Sequence, residues 1–288
     1  MGIKITKMQG CGNDFVILDY EDYQIGVKEK IWNDMSFAAK KLCDRNFGVG
    51  ADGLIIPNTD TEGADIGWFF YNSDGSTAQM CGNGIRCFAK YAVDNKLVDK
   101  KEFTVKTLAG IITPKVLENG NVRVNMSKPV LESEKIPFVP VYNMNYKICI
   151  RERIFEGNAI SMGNPHFVIF IEDEKENLLS LAKEFGPEIE TAFEFPEKTN
   201  VEFVRVCSPD RIELKVWERG CGITLACGTG ACASVAAGVL NGYLTPPVKV
   251  ELLGGNVCID WAGSRENPDK DIFMTGPAEY VFKAELAF

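Results

Sequence analysis

The chain has a single histidine, His166, in 288 residues, and none of its ten cysteines forms a CxxC pair. Structural zinc sites need Cys and His at short, fixed spacings, so no metal is expected here. A dithiol redox centre of the usual CxxC kind is excluded on the same ground. Basic blocks are also missing. With 31 Lys and Arg against 40 Asp and Glu, the net charge is −9. Nucleic acid or an anionic membrane would want a basic face, so neither is expected as a partner. Long apolar runs are absent too. No window reaches bilayer-spanning length, and the opening MGIKITKM has no apolar core of signal-peptide length, so a cytoplasmic location is expected.

What is present is a cysteine-led glycine turn that occurs twice, as MCGNG at 80–84 and ACGTG at 226–230. Each turn opens a run that reads as a helix. Glycine permits the tight backbone, and the first N–H groups of a helix point at whatever lies in front of the thiol. The helix dipole favours thiolate, so a lowered pKa is expected for Cys81 and Cys227. An isolated cysteine at a helix start is usually a small buried hydrophobe; a matched pair calls for more.

The match extends outward. GNDFVI at 12–17 and GNPHFVI at 163–169 are one segment with one insertion. Asn95 follows Cys81 at the interval at which Asn241 follows Cys227. Asn72 beside Tyr71, and Glu218 beside Trp217, precede their cysteines at equal intervals. A period of about 150 residues is too long for a solenoid and suits two similar domains. The remaining cysteines lie scattered through apolar segments and read as reduced, buried thiols.

Along the chain, strands are expected at 3–8 and 15–19, then a helix over 28–42 with Ile31, Met35, Ala38, Ala39 and Leu42 on one face. A strand ends near Asn72, and a helix runs from Cys81 to about Asn95. Strands at 103–106, 111–117 and 122–126 follow, with ENGN at 118–121 as a hairpin turn. Proline content rises around 128–139, which marks a junction. The second half repeats the plan: strands at 148–156 and 167–171, a helix at 177–185, strands at 201–207 and 211–217, and a helix from Cys227. That last helix has almost no polar face, so burial on all sides by strands is expected. The expected fold is therefore α+β, with two pseudosymmetric domains from an internal duplication. Each would be a strand-rich, barrel-like sheet wrapped around a central helix. The expected domains are 1–128, completed by the final strand 276–288, and 129–275.

Several reactions use thiols. A Cys/His hydrolase must use His166 and leaves the second cysteine turn unexplained. A phosphatase-like loop needs an arginine six positions after its cysteine, but Arg86 stands at five and Ala233 occupies the second copy's sixth position. Two matched thiols suit proton exchange at a stereocentre, one removing a proton while the other delivers one.

The motifs KMQGCGNDFV, FGVGADGLI, YNSDGSTAQMCGNGIRCFAKY, SMGNPHFV, TNVEFV and WERGCGITLACGTGACA occur in that order. In sequence and spacing they resemble the diaminopimelate epimerases, a family similar in fold and chemistry to the proline racemases. The resemblance implies a pyridoxal-phosphate-independent isomerase with no cofactor. It would interconvert LL- and meso-2,6-diaminopimelate, in lysine and peptidoglycan synthesis, as a homodimer. It further implies Cys81 and Cys227 as the acid/base pair, with His166 and Glu218 as polar groups beside them. Asn13, Asn72, Asn164, Asn200 and Arg219 would hold the substrate's amino and carboxylate groups. Gly82, Asn83, Gly228 and Thr229 would supply backbone donors to the carboxylate. Taken alone, Asn13 and Asn72 read as turn formers, Arg219 as a surface charge and His166 as structural. The chain departs from the family pattern at Ile223, where Glu is usual, and at Cys221 and Cys11. Two other readings stay open: a racemase or epimerase of another amino acid on the same scaffold, and a catalytically silent binding protein.

Overall fold

Each half opens on a hairpin whose turn demands left-handed backbone. In the computed structural model, which describes residues 2–287, β1 (Ile3–Gly10) and β2 (Asn13–Ile17) are joined by Cys11 and Gly12 alone. Both turn residues have positive φ, 54° and 83°. That pair matches the right-handed strand twist, which is why a two-residue turn works here. In the second half, β10 (Arg153–Ser161) meets β11 (Pro165–Phe170) across a turn one residue longer, with Gly163 at φ 91°. The single insertion between the two GN segments lies in this turn.

The chain forms two compact units, Met1–Val124 with Gly276–Phe288, and Asn125–Thr275. In the first, α1 (Tyr20–Lys28) and α2 (Met35–Cys43) follow β2, then β3 (Gly53–Asn58), β4 (Ile66–Asn72) and α3 (Gly82–Asp94). Next come β5 (Val105–Thr107), β6 (Gly110–Ile112) and a short hairpin of β7 (Lys115–Val116) and β8 (Val122–Asn125). The second unit contains β9 (Tyr146–Ile150), β10, β11, α4 (Leu178–Glu190), β12 (Asn200–Ser208) and β13 (Arg211–Glu218). It continues with β14 (Gly222–Ile223), α5 (Gly228–Leu240), β15 (Val248–Leu252), β16 (Gly255–Trp261) and β17 (Ile272–Gly276). The last strand, β18 (Glu279–Leu286), pairs antiparallel with β1.

The first unit's sheet runs β18-β1-β2-β3-β4-β5-β6, and the second unit's contains β9-β10-β11-β12-β13-β15-β16. Read in that direction, both follow one pairing pattern: antiparallel, antiparallel, parallel, antiparallel, parallel, antiparallel. The duplication is therefore one of topology as well as of motif. In each unit one helix is enclosed: α3 packs on β1, β2, β3 and β7, and α5 on β10, β11, β12 and β16. In α5 the run from Gly230 to Gly238 is buried throughout, as its lack of a polar face requires. The other sheet face is covered by α1 and α2 in the first unit, around Val16, Trp32, Leu42 and Leu54. In the second it is covered by α4, around Phe155, Phe167, Phe185 and Phe203.

Three local expectations are corrected. The helix expected over 28–42 forms only from Met35: Lys28 ends α1, Lys30 takes φ 58° just beyond it, and Asp34 starts α2 as N-cap, accepting from the Phe37 N–H at 2.7 Å. The strand expected over 148–156 is a hairpin that turns at Arg151 and Glu152, both with positive φ. The cysteines outside the turns are not uniformly buried: Cys149, Cys207, Cys221 and Cys258 are exposed, and none of the ten is in a disulfide.

Candidate active site

Cys81 is the N-cap of α3, with extended backbone at φ −140°. Helical geometry gives the first-turn N–H groups, those of Gly82 and Asn83 among them, no carbonyl one turn back. Two amides, Asn13 and Asn83, stand beside the thiol. Asn13, the first residue of β2, presents its Oδ1 to Cys81 Sγ at 3.5 Å and to the Asn83 Nδ2 donor at 3.2 Å. Its own Nδ2 donates to Asp52 Oδ2 at 2.6 Å, which fixes which way the amide faces. Behind it, Arg45 bridges Asp14 and Asp52, and Lys7 pairs with Asp14 at 2.9 Å. Burial works against ionisation of Asp14, but Arg45 and Lys7 outweigh it and hold the carboxyl below its ordinary value. In the first turn of α3, Arg86 is fully buried and donates to the carbonyls of Pro277 and Gly82.

Asn72 is not part of this group. It is exposed at the end of β4, and its Nδ2 donates to Ser76 Oγ at 3.0 Å within the following turn. A separate hollow of 310 Å³, lined by Trp68, Phe70, Tyr71, Lys106 and Leu108 among others, contains no residue of the cysteine turn.

Cys227 is the N-cap of α5, and its Sγ accepts from the Gly230 N–H at 3.4 Å. It is buried, and its neighbours are charged. Glu218, from the end of β13, accepts a short hydrogen bond from Thr224 Oγ1 and lies close to the Cys227 thiol. Burial, with Glu202 nearby, raises the Glu218 carboxyl above its ordinary value, although the Thr224 hydroxyl opposes this. His166, from β11, is fully buried between Glu202 Oε1, 2.6 Å from Nδ1, and Asn164 Oδ1, 3.0 Å from Nε2. Asn164 Nδ2 lies 3.4 Å from Thr229 Oγ1, which in turn lies 3.6 Å from Cys227 Sγ.

The expected lowering of the Cys227 pKa is overturned. Burial is the largest influence, and the Glu218 and Glu202 carboxylates add to it, so the thiol is raised well above its ordinary value. The Thr229 hydroxyl and the Gly230 N–H favour thiolate but do not outweigh two carboxylates in a dry site. Helix-terminus stabilisation is typically ~0.3–1 kcal/mol, which desolvation readily exceeds.

Asn200 and Arg219 complete this set. Asn200, buried at the start of β12, donates to the Pro165 carbonyl at 2.8 Å and accepts from the Arg219 N–H at 2.9 Å. The half-buried Arg219 side chain donates to the Glu197 carbonyl at 3.0 Å. Two residues of the neighbourhood escape motif reading. Glu190 of α4 accepts from Trp217 Nε1 at 2.7 Å and from the Gly220 N–H at 3.0 Å, so it braces the turn that carries Glu218 and Arg219. Glu202 contacts the imidazole directly.

His166, Glu202 and Cys227 each bring one metal-ligating atom within 4.8 Å of the others. The 2.6 Å between His166 Nδ1 and Glu202 Oε1 is a hydrogen-bond spacing. It is shorter than the roughly 3.3 Å separating two ligands around one tetrahedral zinc ion. A buried thiol and a carboxyl that are both raised above their ordinary values, beside an imidazole held between Glu202 and Asn164, together form a site able to give and take one proton. No helix among the described residues is long and apolar enough to cross a membrane.

The family model for diaminopimelate epimerase matches residues 5–132 and 158–281. The diaminopimelate epimerase of Carboxydothermus hydrogenoformans is 47% identical over 98% of this chain and 99% of its own length. That of Halothermothrix orenii is 45% identical over 99% and 98%, and that of Methanococcus maripaludis 42% over 99% of each. Among solved structures, a Bacillus anthracis phenazine biosynthesis protein of the PhzF family superposes with TM-score 0.67 at 15% identity, covering both chains fully. A probable proline racemase from Agrobacterium radiobacter superposes at 0.66 and 14% identity, over 99% of this chain and 93% of its own. These two share the fold. With matched cysteine turns in duplicated α+β units, and relatives above 40% identity along the whole length, the chain belongs to the diaminopimelate epimerase family.

Proposed function

We propose that this protein interconverts LL- and meso-2,6-diaminopimelate by a two-base proton transfer at the α-carbon, with Cys81 and Cys227 as the two bases. A thiolate takes the α-proton, the C–H electron pair passes into the adjacent carboxylate, and the opposite thiol returns a proton to the other face. The helix-start N–H groups of Gly82, Asn83, Gly228 and Thr229 meet the charge that develops on that carboxylate. Such donors are each worth about 10²–10³-fold in rate when aimed at the forming anion. His166 and Glu218 attend the thiols, and Asn13, Asn72, Asn164, Asn200 and Arg219 bind the amino and carboxylate groups.

One observation carries the reading: each cysteine is the N-cap of the enclosed helix in a unit of the same topology. Burial and the neighbouring carboxylates raise the Cys227 thiol above its ordinary value and so favour its protonated form. The protein acts in the cytoplasm as a homodimer and needs neither pyridoxal phosphate nor a metal. Proton NMR of LL- and meso-diaminopimelate in deuterium oxide tests this. Loss of the α-proton signal with formation of the other isomer, in chelator and without added cofactor, is the expected result. Exchange only with another amino acid, or only after cofactor is supplied, contradicts it.

A further inference from the structure

Glu202 has no counterpart in the roles above, yet it is fully buried in the middle of β12. Acidic side chains are almost never buried without a partner that requires them. Its partner is His166, 2.6 Å from Oε1. Its other oxygen, Oε2, has no hydrogen-bond partner, an arrangement that costs stability and so needs a reason. The parallel register supplies the placement. His166 lies opposite Asn200, and Glu202 is two residues further along β12, on the same face.

From Glu202 a continuous chain of polar groups leads to the thiol. It runs through His166 Nδ1 and Nε2, Asn164 Oδ1 at 3.0 Å, then Nδ2 to Thr229 Oγ1 at 3.4 Å and on to Cys227 Sγ at 3.6 Å. The chain closes on itself. A Cβ at Gly230 would stand 2.7 Å from Glu202 Oε1 and 3.2 Å from Cys227 Sγ, so only glycine leaves room for both there.

We propose that Glu202 is a positioning residue for proton transfer at Cys227: its carboxylate accepts from His166 Nδ1–H while the ring's Nε2–H donates to Asn164 Oδ1, and this sets the ring, Asn164 and Thr229 against the thiol. This rests on the two-cysteine reading for its consequence but not for its geometry. Replacing the carboxylate that orients a catalytic imidazole can cost up to about 10⁴-fold in kcat. Here the imidazole acts at one remove, so a loss of about 100-fold is expected for Glu202→Leu, with KM within about 3-fold. Glu202→Gln keeps one acceptor oxygen and should fall between Leu and wild type. A merely structural carboxylate would give Leu and Gln the same kcat.

His166 is the only histidine, so ¹⁵N-histidine labelling reports its ring alone. In the resting wild-type protein at pH 7.5, Nδ1 should carry a proton, and in Glu202→Leu that proton should be gone. A bare Nδ1 in the wild type, or wild-type kcat in Glu202→Leu, overturns the proposal. If the Leu variant does not fold, the wild-type spectrum and the Gln kinetics still decide. The spectrum needs no substrate, so its failure is distinct from failure of the two-cysteine reading, which would show as epimerisation surviving loss of either thiol.

Discussion

The two cysteine turns share a backbone and differ in almost every polar neighbour. Both thiols cap an enclosed helix that ends in an asparagine C-cap, Asn95 or Asn241. Around Cys81 stand amides, with the buried Arg86 in the same helix turn. Around Cys227 stand Glu218, Glu202 and His166, and its proton is held by burial and negative charge. On the two-base proposal, the shared backbone would serve carboxylate binding at both turns, and the differing neighbours would let one cysteine be thiol while the other is thiolate.

The comparison can be broken most sharply at Glu218. Glu218→Gln removes the carboxyl beside Cys227 and should lower kcat about 100-fold. The same substitution carries a pH signature. The Glu218 carboxyl is raised in the folded protein, so the protein loses stability as pH climbs through that raised value. Glu218→Gln should therefore melt higher than wild type at pH 7–8, with the difference vanishing below the ordinary carboxylate pKa of 4.5. Thermal melts across pH check this, and a variant that melts lower at pH 8 counts against the burial argument.

Arg219→Ala should come next, raising KM about 10–100-fold with a smaller change in kcat, since a charge-assisted contact to a substrate carboxylate is lost. Steady-state kinetics within error of wild type would leave Arg219 as a brace on the Glu197 carbonyl alone.

The order of these effects follows what could be read from the residues. Cysteine turns, glycine positions and helix ends were legible because they are set by local backbone chemistry. Glu202 was not, although TNVEFV stood among the motifs. Its partner lies 36 positions away, on a strand brought alongside only by parallel pairing. The signal was there in weak form: Asn200 and Glu202, two polar residues at period two inside an apolar strand. The break at residues 29–34 was missed for the opposite reason. Ile31, Met35 and Leu42 keep a helical period through it, while a left-handed Lys30 and the Asp34 cap interrupt the backbone. Strands β15 to β17 carried no motif and went unread, yet β16 packs directly on α5.

Smaller effects sharpen the contrast. Ile223 packs partly against the aromatic core around Phe185. Ile223→Glu should lower stability by about 1–2 kcal/mol, read by denaturant unfolding, because a half-buried apolar contact gives way to a charge. Asn72→Ala should have the least effect, a rise in KM of about 2–3-fold. Its side chain is exposed and already engaged with Ser76, so substrate competes with the turn for it.

The central claim is that two like-placed thiols divide one reaction between them. Cys81→Ala and Cys227→Ala, each assayed separately with LL- and with meso-diaminopimelate in deuterium oxide, test it most directly. The account predicts that each variant folds and that each loses epimerisation by at least about 10³-fold in both directions. Turnover within about tenfold of wild type in either variant would contradict it, because one thiol would then suffice.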